Sequence, residues 1–253
     1  MKPTELLDEI NTYAEDIYDE FCEDNAWSWA HTFENKLSCK VRLAAGISKL
    51  VIIPSGENYV LKIPFVGKIE DIWHSNPDYK VPYDDPNFDE TEAGEYRDDF
   101  FPFEYANPFD DYANEDMSWN YCNSECSIYD HAIENGLELY FASEELLGFI
   151  GERQHPVYIQ ERAMVFSDSE WSQKRLPQSE ADAFWDELEE LGFYHGCLPL
   201  LWIKHFIERY GKDELKRLGD FMEEYRIGDL HSSNVGYVYG DIPILVDYSN
   251  FND

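Results

Sequence analysis

A polar loop and the short apolar run that follows it near the C-terminus limit the folds open to this chain of 253 residues. The loop contains Asp229 and, five residues later, Asn234, and the apolar run over residues 242–246 leads to Asp247, thirteen residues beyond the Asn. A phosphoryl-transfer site needs a group that positions or deprotonates the attacking hydroxyl, and oxygen ligands that hold Mg²⁺ against the phosphates. Since Mg²⁺ keeps several waters and takes one or two carboxylates from a protein, the spacing favours Asp229 in the first role and Asn234 with Asp247 in the second.

This stretch resembles the catalytic loop D-x-x-x-x-N of the protein-kinase-like superfamily and the metal-binding Asp that follows it. Its form D-L-H-x-x-N is similar to that of small bacterial, phage and aminoglycoside-type kinases. The resemblance implies ATP and Mg²⁺ as cofactors. It also implies an α+β fold of two lobes, with an antiparallel-sheet N-lobe and a helical C-lobe. Because six residues follow Asp247, the C-lobe is expected to be reduced and truncated relative to typical members.

The stretch departs from the family pattern before Asp229 and again after Asp247. Ile227-Gly228 stand before Asp229 where many protein kinases have His-Arg, and Tyr248-Ser249 follow Asp247 in place of Phe-Gly. The residues alone also fit an ordinary β-hairpin whose turn is rich in Asp, Ser and Asn.

Three β-rich runs between residues 39 and 65, separated by turn signals, predict an antiparallel meander. The third run carries Lys62 between apolar neighbours. In the resemblance this Lys contacts the α- and β-phosphates of ATP, and the turn that contains Gly46 covers them, although two of the usual three glycines are absent from that turn. The alternative for Lys62 is a charge on an edge strand that opposes aggregation.

Helical spacing of apolar residues over 120–135 predicts a helix with Glu125 on its apolar face. A buried carboxylate is costly unless it is paired, and in the resemblance Glu125 pairs with Lys62 and orients it. The alternative is a half-exposed Glu beside the core. The resemblance further implies that a later strand leads into a hinge, where backbone groups of Glu161 and Ala163 meet adenine.

Periodicity places the remaining predicted elements. Residues 4–23 form an amphipathic helix that packs on the domain or serves as a partner-binding arm, and residues 157–162 form a strand. Three helices over residues 179–192, 200–210 and 213–225 make the second half of the chain rich in α-helix.

These elements predict three segments along the chain. Residues 1–37 are an N-terminal helical segment, and residues 38–163 are the kinase-like N-lobe, interrupted by an insertion at residues 66–118. Residues 164–253 are the reduced helical C-lobe with the catalytic loop.

The insertion over residues 66–118 is the most acidic part of the chain, with sixteen Asp and Glu against three Lys and Arg. Its five prolines forbid a long helix, while its eleven aromatic residues supply apolar surface for packing, which predicts an ordered insertion. Two roles fit it: a surface that captures a basic protein partner, or a mimic of nucleic-acid charge. The alternative is a solvated acidic loop.

The formal charge of the whole chain is −34, from 53 acidic and 19 basic residues. Such a charge opposes close approach to nucleic acids and to anionic lipid, so direct binding to either is not expected. The sequence contains no run of 18 apolar residues, and its first twenty residues are acidic rather than basic and then apolar. Five cysteines form an odd set without a disulfide framework, which predicts reduced thiols and a cytoplasmic protein.

Together these observations predict an ATP- and Mg²⁺-dependent phosphotransferase of minimal kinase-like fold that transfers to a protein or a small molecule. The alternative is a kinase-like pseudoenzyme whose acidic insertion captures a basic partner, in the manner of a phage- or host-encoded inhibitor. The expected partners are therefore a nucleotide in both cases and a basic protein in the second.

Overall fold

A computed structural model describes residues 1–14, 35–45, 49–64, 120–152, 154–194, 197–228 and 230–249. These residues form five α-helices: α1 (Pro3–Thr12), α2 (Tyr121–Glu134), α3 (Gln178–Leu191), α4 (Leu200–Tyr210) and α5 (Lys212–Glu224). They form eight strands: β1 (Val41–Ala45), β2 (Lys49–Pro54), β3 (Tyr59–Pro64), β4 (Glu144–Ile150), β5 (His155–Glu161), β6 (Met164–Val165), β7 (Val235–Val238) and β8 (Ile242–Leu245). The predicted α+β class is confirmed. None of the described helices has the length and apolar character needed to cross a membrane.

The chain divides into two compact units. The first contains Met1–Asn120 and Leu146–Ile159, and the second contains Tyr121–Glu145 and Gln160–Asp253. These units are groups of packed residues, and the three-segment domain organisation drawn from the sequence remains a prediction.

The first unit is built on a five-stranded sheet with strand order β1-β2-β3-β5-β4. Strands β1, β2 and β3 pair antiparallel, with Val41 opposite Pro54 and Val51 opposite Lys62, so the predicted meander is confirmed. Every residue of β3 is buried, and the strand has hydrogen-bonded neighbours on both sides. The turn between β2 and β3 contains Gly56 at φ +82°, a backbone conformation that favours glycine.

Helix α1 supplies part of the core of the first unit. Leu6 and Ile10 are spaced four residues apart, share one face of the helix, and pack with strand residues such as Leu50 and Leu61. Burying a side chain of this size is worth roughly 1.5–3 kcal/mol. The predicted helix over residues 4–23 is therefore confirmed as far as Thr12, and its continuation beyond residue 14 lies outside the described residues.

Strand β5 begins with a fully buried histidine. His155 is 0% exposed, and its Nε2 lies 2.9 Å from the carbonyl oxygen of Pro64 at the end of β3. Since a carbonyl only accepts hydrogen bonds, Nε2 must carry the proton, and the ring is held as the Nε2–H tautomer. Burial lowers the pKa of His155 to about 4, because a charged imidazolium would lose its solvation there.

The second unit has a core formed by its helices and by the small sheet β6-β7-β8. Trp202 and Phe206 of α4 are fully buried four residues apart, and the indole Nε1 of Trp202 donates to the carbonyl of Gly236 at 3.0 Å. Helix α3 ends at Gly192, whose φ of +77° closes the helix in the left-handed conformation. The three helices predicted between residues 179 and 225 are confirmed to within a residue at each end.

Strands β7 and β8 form a tight antiparallel hairpin in the second unit. Val235 lies opposite Leu245 and Val238 opposite Ile242, so residues 239–241 form the turn. On the other side of β7, strand β6 approaches so closely that a Cβ on Gly236 would lie 2.9 Å from the Cα of Val165. Only glycine allows this approach.

Candidate functional site

The hairpin explains the spacing between Asn234 and Asp247. Asn234 immediately precedes β7, and Asp247 follows the end of β8 by two residues. Because Val235 is opposite Leu245, the antiparallel register brings Asn234 level with Val246 at the open end of the hairpin. Two residues that are thirteen positions apart in the sequence therefore lie side by side.

Backbone hydrogen bonds fix this end of the hairpin. The carbonyl oxygen of Asn234 accepts from the amide of Val246 at 2.9 Å and from the amide of Asp247 at 3.2 Å. The amide of Tyr248 donates in turn to Oε1 of Glu125 at 3.3 Å. Three residues predicted for the site, Glu125, Asn234 and Asp247, are thus joined through three consecutive amides.

The side chain of Tyr248 anchors residues 246–248, the segment that bears Asp247, in the core. It is almost completely buried, its hydroxyl donates to the carbonyl of Ala142 at 2.6 Å, and its ring meets Phe141 edge to face at 5.0 Å. Burial, followed by the nearby carboxylates of Glu144 and Glu125, raises the pKa of Tyr248 far above its usual range. The phenol is therefore neutral at physiological pH, as a hydrogen-bond donor in this position must be.

A buried polar cluster lies beside the segment. Glu125 is 0% exposed on α2, so the predicted burial is confirmed and the half-exposed alternative is wrong. Three residues, Cys122, Glu125 and Glu144, each offer one side-chain ligand atom, and these three atoms lie within 4.8 Å of one another. A cysteine sulfur and two carboxylates at this separation are groups that could hold a cation, and no pattern in the sequence points to Glu144 as a member of this cluster.

Gln160 connects this cluster to the hairpin. Its Nε2 donates to Oε2 of Glu144 and to the carbonyl oxygen of Val246, both at 2.7 Å. Sequence analysis did not identify Gln160, although one signal was present: an amide side chain inside the apolar strand β5 requires partners.

Lys62 belongs to the first unit. It is buried in the middle of β3, opposite Val51 of β2. Since β3 lies between β2 and β5, the alternative of an aggregation-blocking charge on an edge strand is wrong. The pairing of Lys62 with Glu125 remains a prediction.

The predicted hinge residues lie at the end of β5 and just after it. The amide of Glu161 donates to the carbonyl of Ser143 at 3.0 Å. Ala163 packs against the buried residues Ala142 and Ile244 of the second unit. Contact of either residue with adenine remains a prediction.

Two predicted site residues, Asp229 and Gly46, lie outside the described residues, as does the acidic insertion at 66–118. The residues on either side of Asp229 are described, and Ile227 and Leu230 are both buried in the core of the second unit. Next in the chain, the amide of Ser233 donates to Nδ1 of His231 at 3.2 Å.

No protein-family model, curated protein or solved structure matches this chain. Its function is therefore inferred from the chemistry and contacts of its own residues. The second unit joins Glu125, Asn234 and Asp247 through the backbone of one short segment. The first unit places Lys62 in the interior of its sheet.

Proposed function

We propose that this chain is an ATP- and Mg²⁺-dependent phosphotransferase of minimal two-lobed, protein-kinase-like fold. The observation that carries the proposal is the open end of the β7–β8 hairpin, where the carbonyl of Asn234 binds the amides of Val246 and Asp247. This contact joins the two residues that the resemblance assigns to the metal. The order of elements supports it further, since a meander that carries Lys62 is followed by a helix that carries Glu125 and then by the hairpin.

The donor set suits magnesium. Asn234 offers an amide oxygen and Asp247 a carboxylate, and Mg²⁺ takes one or two carboxylates from a protein while phosphates and water complete its shell. Bound Mg²⁺ and ATP would supply the transferable phosphoryl group and screen its charge. Asp247 is half-buried, so part of this residue remains exposed to solvent.

The other residues act on the nucleotide and the acceptor. The ammonium of Lys62 contacts phosphate oxygens, Glu125 orients Lys62, and Asp229 positions the acceptor hydroxyl and accepts its proton. The acceptor is a hydroxyl group of a protein or a small molecule. Positioning and electrostatics carry this reaction, because the protein forms no covalent bond to the phosphoryl group.

Calorimetric titration with a non-hydrolysable ATP analogue tests the nucleotide and metal sites. We expect binding that is much tighter with Mg²⁺ than with EDTA, and loss of that difference in Asp247→Ala. The matched control is Asp241→Ala, since Asp241 is an exposed acid in the turn at the opposite end of the same hairpin. No binding to the wild type at millimolar nucleotide would refute the proposal.

Turnover tests the catalytic residue. ATP hydrolysis with water as acceptor should fall by roughly 10²–10⁴-fold in Asp229→Asn, the usual loss when a general base is removed. Binding of the ATP analogue and the urea midpoint should stay unchanged, since Asn keeps the size of the side chain. Undiminished hydrolysis in this variant would remove Asp229 from its proposed role.

The charge of the chain favours a second function, capture of a basic protein by the acidic insertion. Residues 66–118 carry sixteen of the 53 acidic residues and only three basic ones. Replacement of residues 71–116 by a short Gly-Ser linker should weaken binding of a poly-L-lysine probe and leave Mg²⁺-dependent nucleotide binding intact. Equal polylysine binding by both proteins would assign the attraction to the net charge of the remaining chain.

A further inference from the structure

We infer that Gln160 is a positioning residue that holds the segment bearing Asp247 in place for metal binding. The inference rests on the proposed function for its catalytic consequence, while the positioning itself is a property of the folded chain. Gln160 lies near the end of β5, far in sequence from both groups that it binds.

The two hydrogen bonds of Gln160 fix the orientation of its amide. Nε2 carries two hydrogens, and both are used, one for Oε2 of Glu144 and one for the carbonyl of Val246. The carbonyl of Val246 can only accept. A flipped amide would direct its oxygen at this carbonyl oxygen, so the observed orientation is the favourable one.

These bonds complete a clamp around Val246. Its amide donates to the carbonyl of Asn234, and its carbonyl accepts from Gln160. Both backbone groups of the residue directly before Asp247 are thus fixed by elements outside the segment. The next two amides are bound by Asn234 and Glu125, which both accept, and Gln160 supplies a side-chain donor to the same short segment.

The burial of Gln160 indicates that packing alone does not explain this residue. The side chain is 1% exposed, and its Oε1 has no hydrogen-bond partner among the described residues. An unsatisfied buried acceptor carries a desolvation cost that an apolar residue of the same length would avoid. A polar residue retained at such a cost calls for an explanation, and the clamp on Val246 provides one.

Amide hydrogen exchange measured by NMR tests the positioning directly. Gln160→Met keeps the length of the side chain and removes both donors, so exchange at Val246, Asp247 and Tyr248 should accelerate at least tenfold relative to Tyr237 in β7. The matched control is Gln178→Met, because Gln178 also donates to a carboxylate but does so on the exposed face of α3. Unchanged exchange in Gln160→Met would overturn the inference.

Nucleotide binding tests the consequence for the metal site. In Gln160→Met the affinity for the Mg²⁺-loaded ATP analogue should fall at least tenfold, while the affinity measured in EDTA changes less than twofold. A residue with a merely structural role would lower stability and leave the ratio of these two affinities unchanged. That result, in a wild type that does show Mg²⁺-dependent binding, would also overturn the inference.

The two proposals fail in different ways. If the wild type shows no Mg²⁺-dependent binding, the phosphotransferase proposal fails, and the exchange rates still decide whether Gln160 positions the segment. Should Gln160→Met not fold, Gln160→Asn provides the same test. Its amide keeps both donors but is one methylene too short to reach both acceptors, so the exchange and affinity changes expected are the same.

Discussion

Replacing His155 with Gln should remove a pH dependence of folding that this buried imidazole imposes on the first unit. Gln can still donate to the carbonyl of Pro64 but binds no proton between pH 5 and 8. The wild-type ring has to stay neutral in the folded protein, because it is fully buried at the start of β5 and holds its proton on Nε2.

The sign and size of the effect follow from the pKa of His155. Its value is lowered from 6.5 to about 4 on folding, so the unfolded chain binds the proton more tightly. The stabilisation is complete above pH 6.5 and is lost as the pH falls toward 4. The loss in the free energy of unfolding amounts to about 3 kcal/mol in total, and about 2 kcal/mol of this loss occurs between pH 7.5 and pH 5.

Urea unfolding followed by circular dichroism at pH 7.5, 6.5, 5.5 and 5.0 measures this effect. The free energy of unfolding of the wild type should fall relative to that of His155→Gln by about 2 kcal/mol across the series. The many carboxylates of the chain titrate equally in both proteins, and their contribution cancels in the difference. His131→Gln, at a partly exposed histidine of α2, is the matched control. Parallel pH profiles for the wild type and His155→Gln would refute the reasoning.

Three further substitutions test the packing of the second unit, each by urea unfolding. Gly236→Ala should destabilise the protein by about 2 kcal/mol or more, because its Cβ would press on the backbone of β6; a smaller loss would mean that β6 can move. Tyr248→Phe should cost about 1–3 kcal/mol, since it leaves the buried carbonyl of Ala142 without its donor; an unchanged midpoint would contradict this. Lys204→Met should change stability by less than about 1 kcal/mol, because its pair with Glu180 is solvent-exposed, and a larger loss would indicate a role beyond that pair.

Elements with a regular hydrophobic period could be predicted from the sequence. The meander, α2, α4 and α5 follow such periods, and their bounds agree with the structure to within a few residues. Strand β4 is not among the elements that the sequence predicts. Glu144 and Glu145 stand at its start and Gly148 in its middle, and this pattern matches neither an alternating strand nor a buried one.

For the site as well, the contact set by local spacing could be predicted from the sequence, and the contacts between distant residues could not. The proximity of Asn234 and Asp247 follows from a spacing that a short hairpin closes, and the spacing is visible in the sequence. The contacts of Gln160 with Glu144 and Val246 join residues 16 and 86 positions apart. A single polar residue in a strand predicts that partners exist, but its sequence neighbours carry no information about which residues they are.

The way in which the Asp247 segment is held affects what evolution can change around it. Asn234 binds this segment at main-chain amides, and Glu125 binds it at the amide of Tyr248. Every amino acid except proline offers that N–H, whatever its side chain. Any residue other than proline therefore leaves these main-chain hydrogen bonds available, and proline is the residue that selection must exclude from positions 246 to 248.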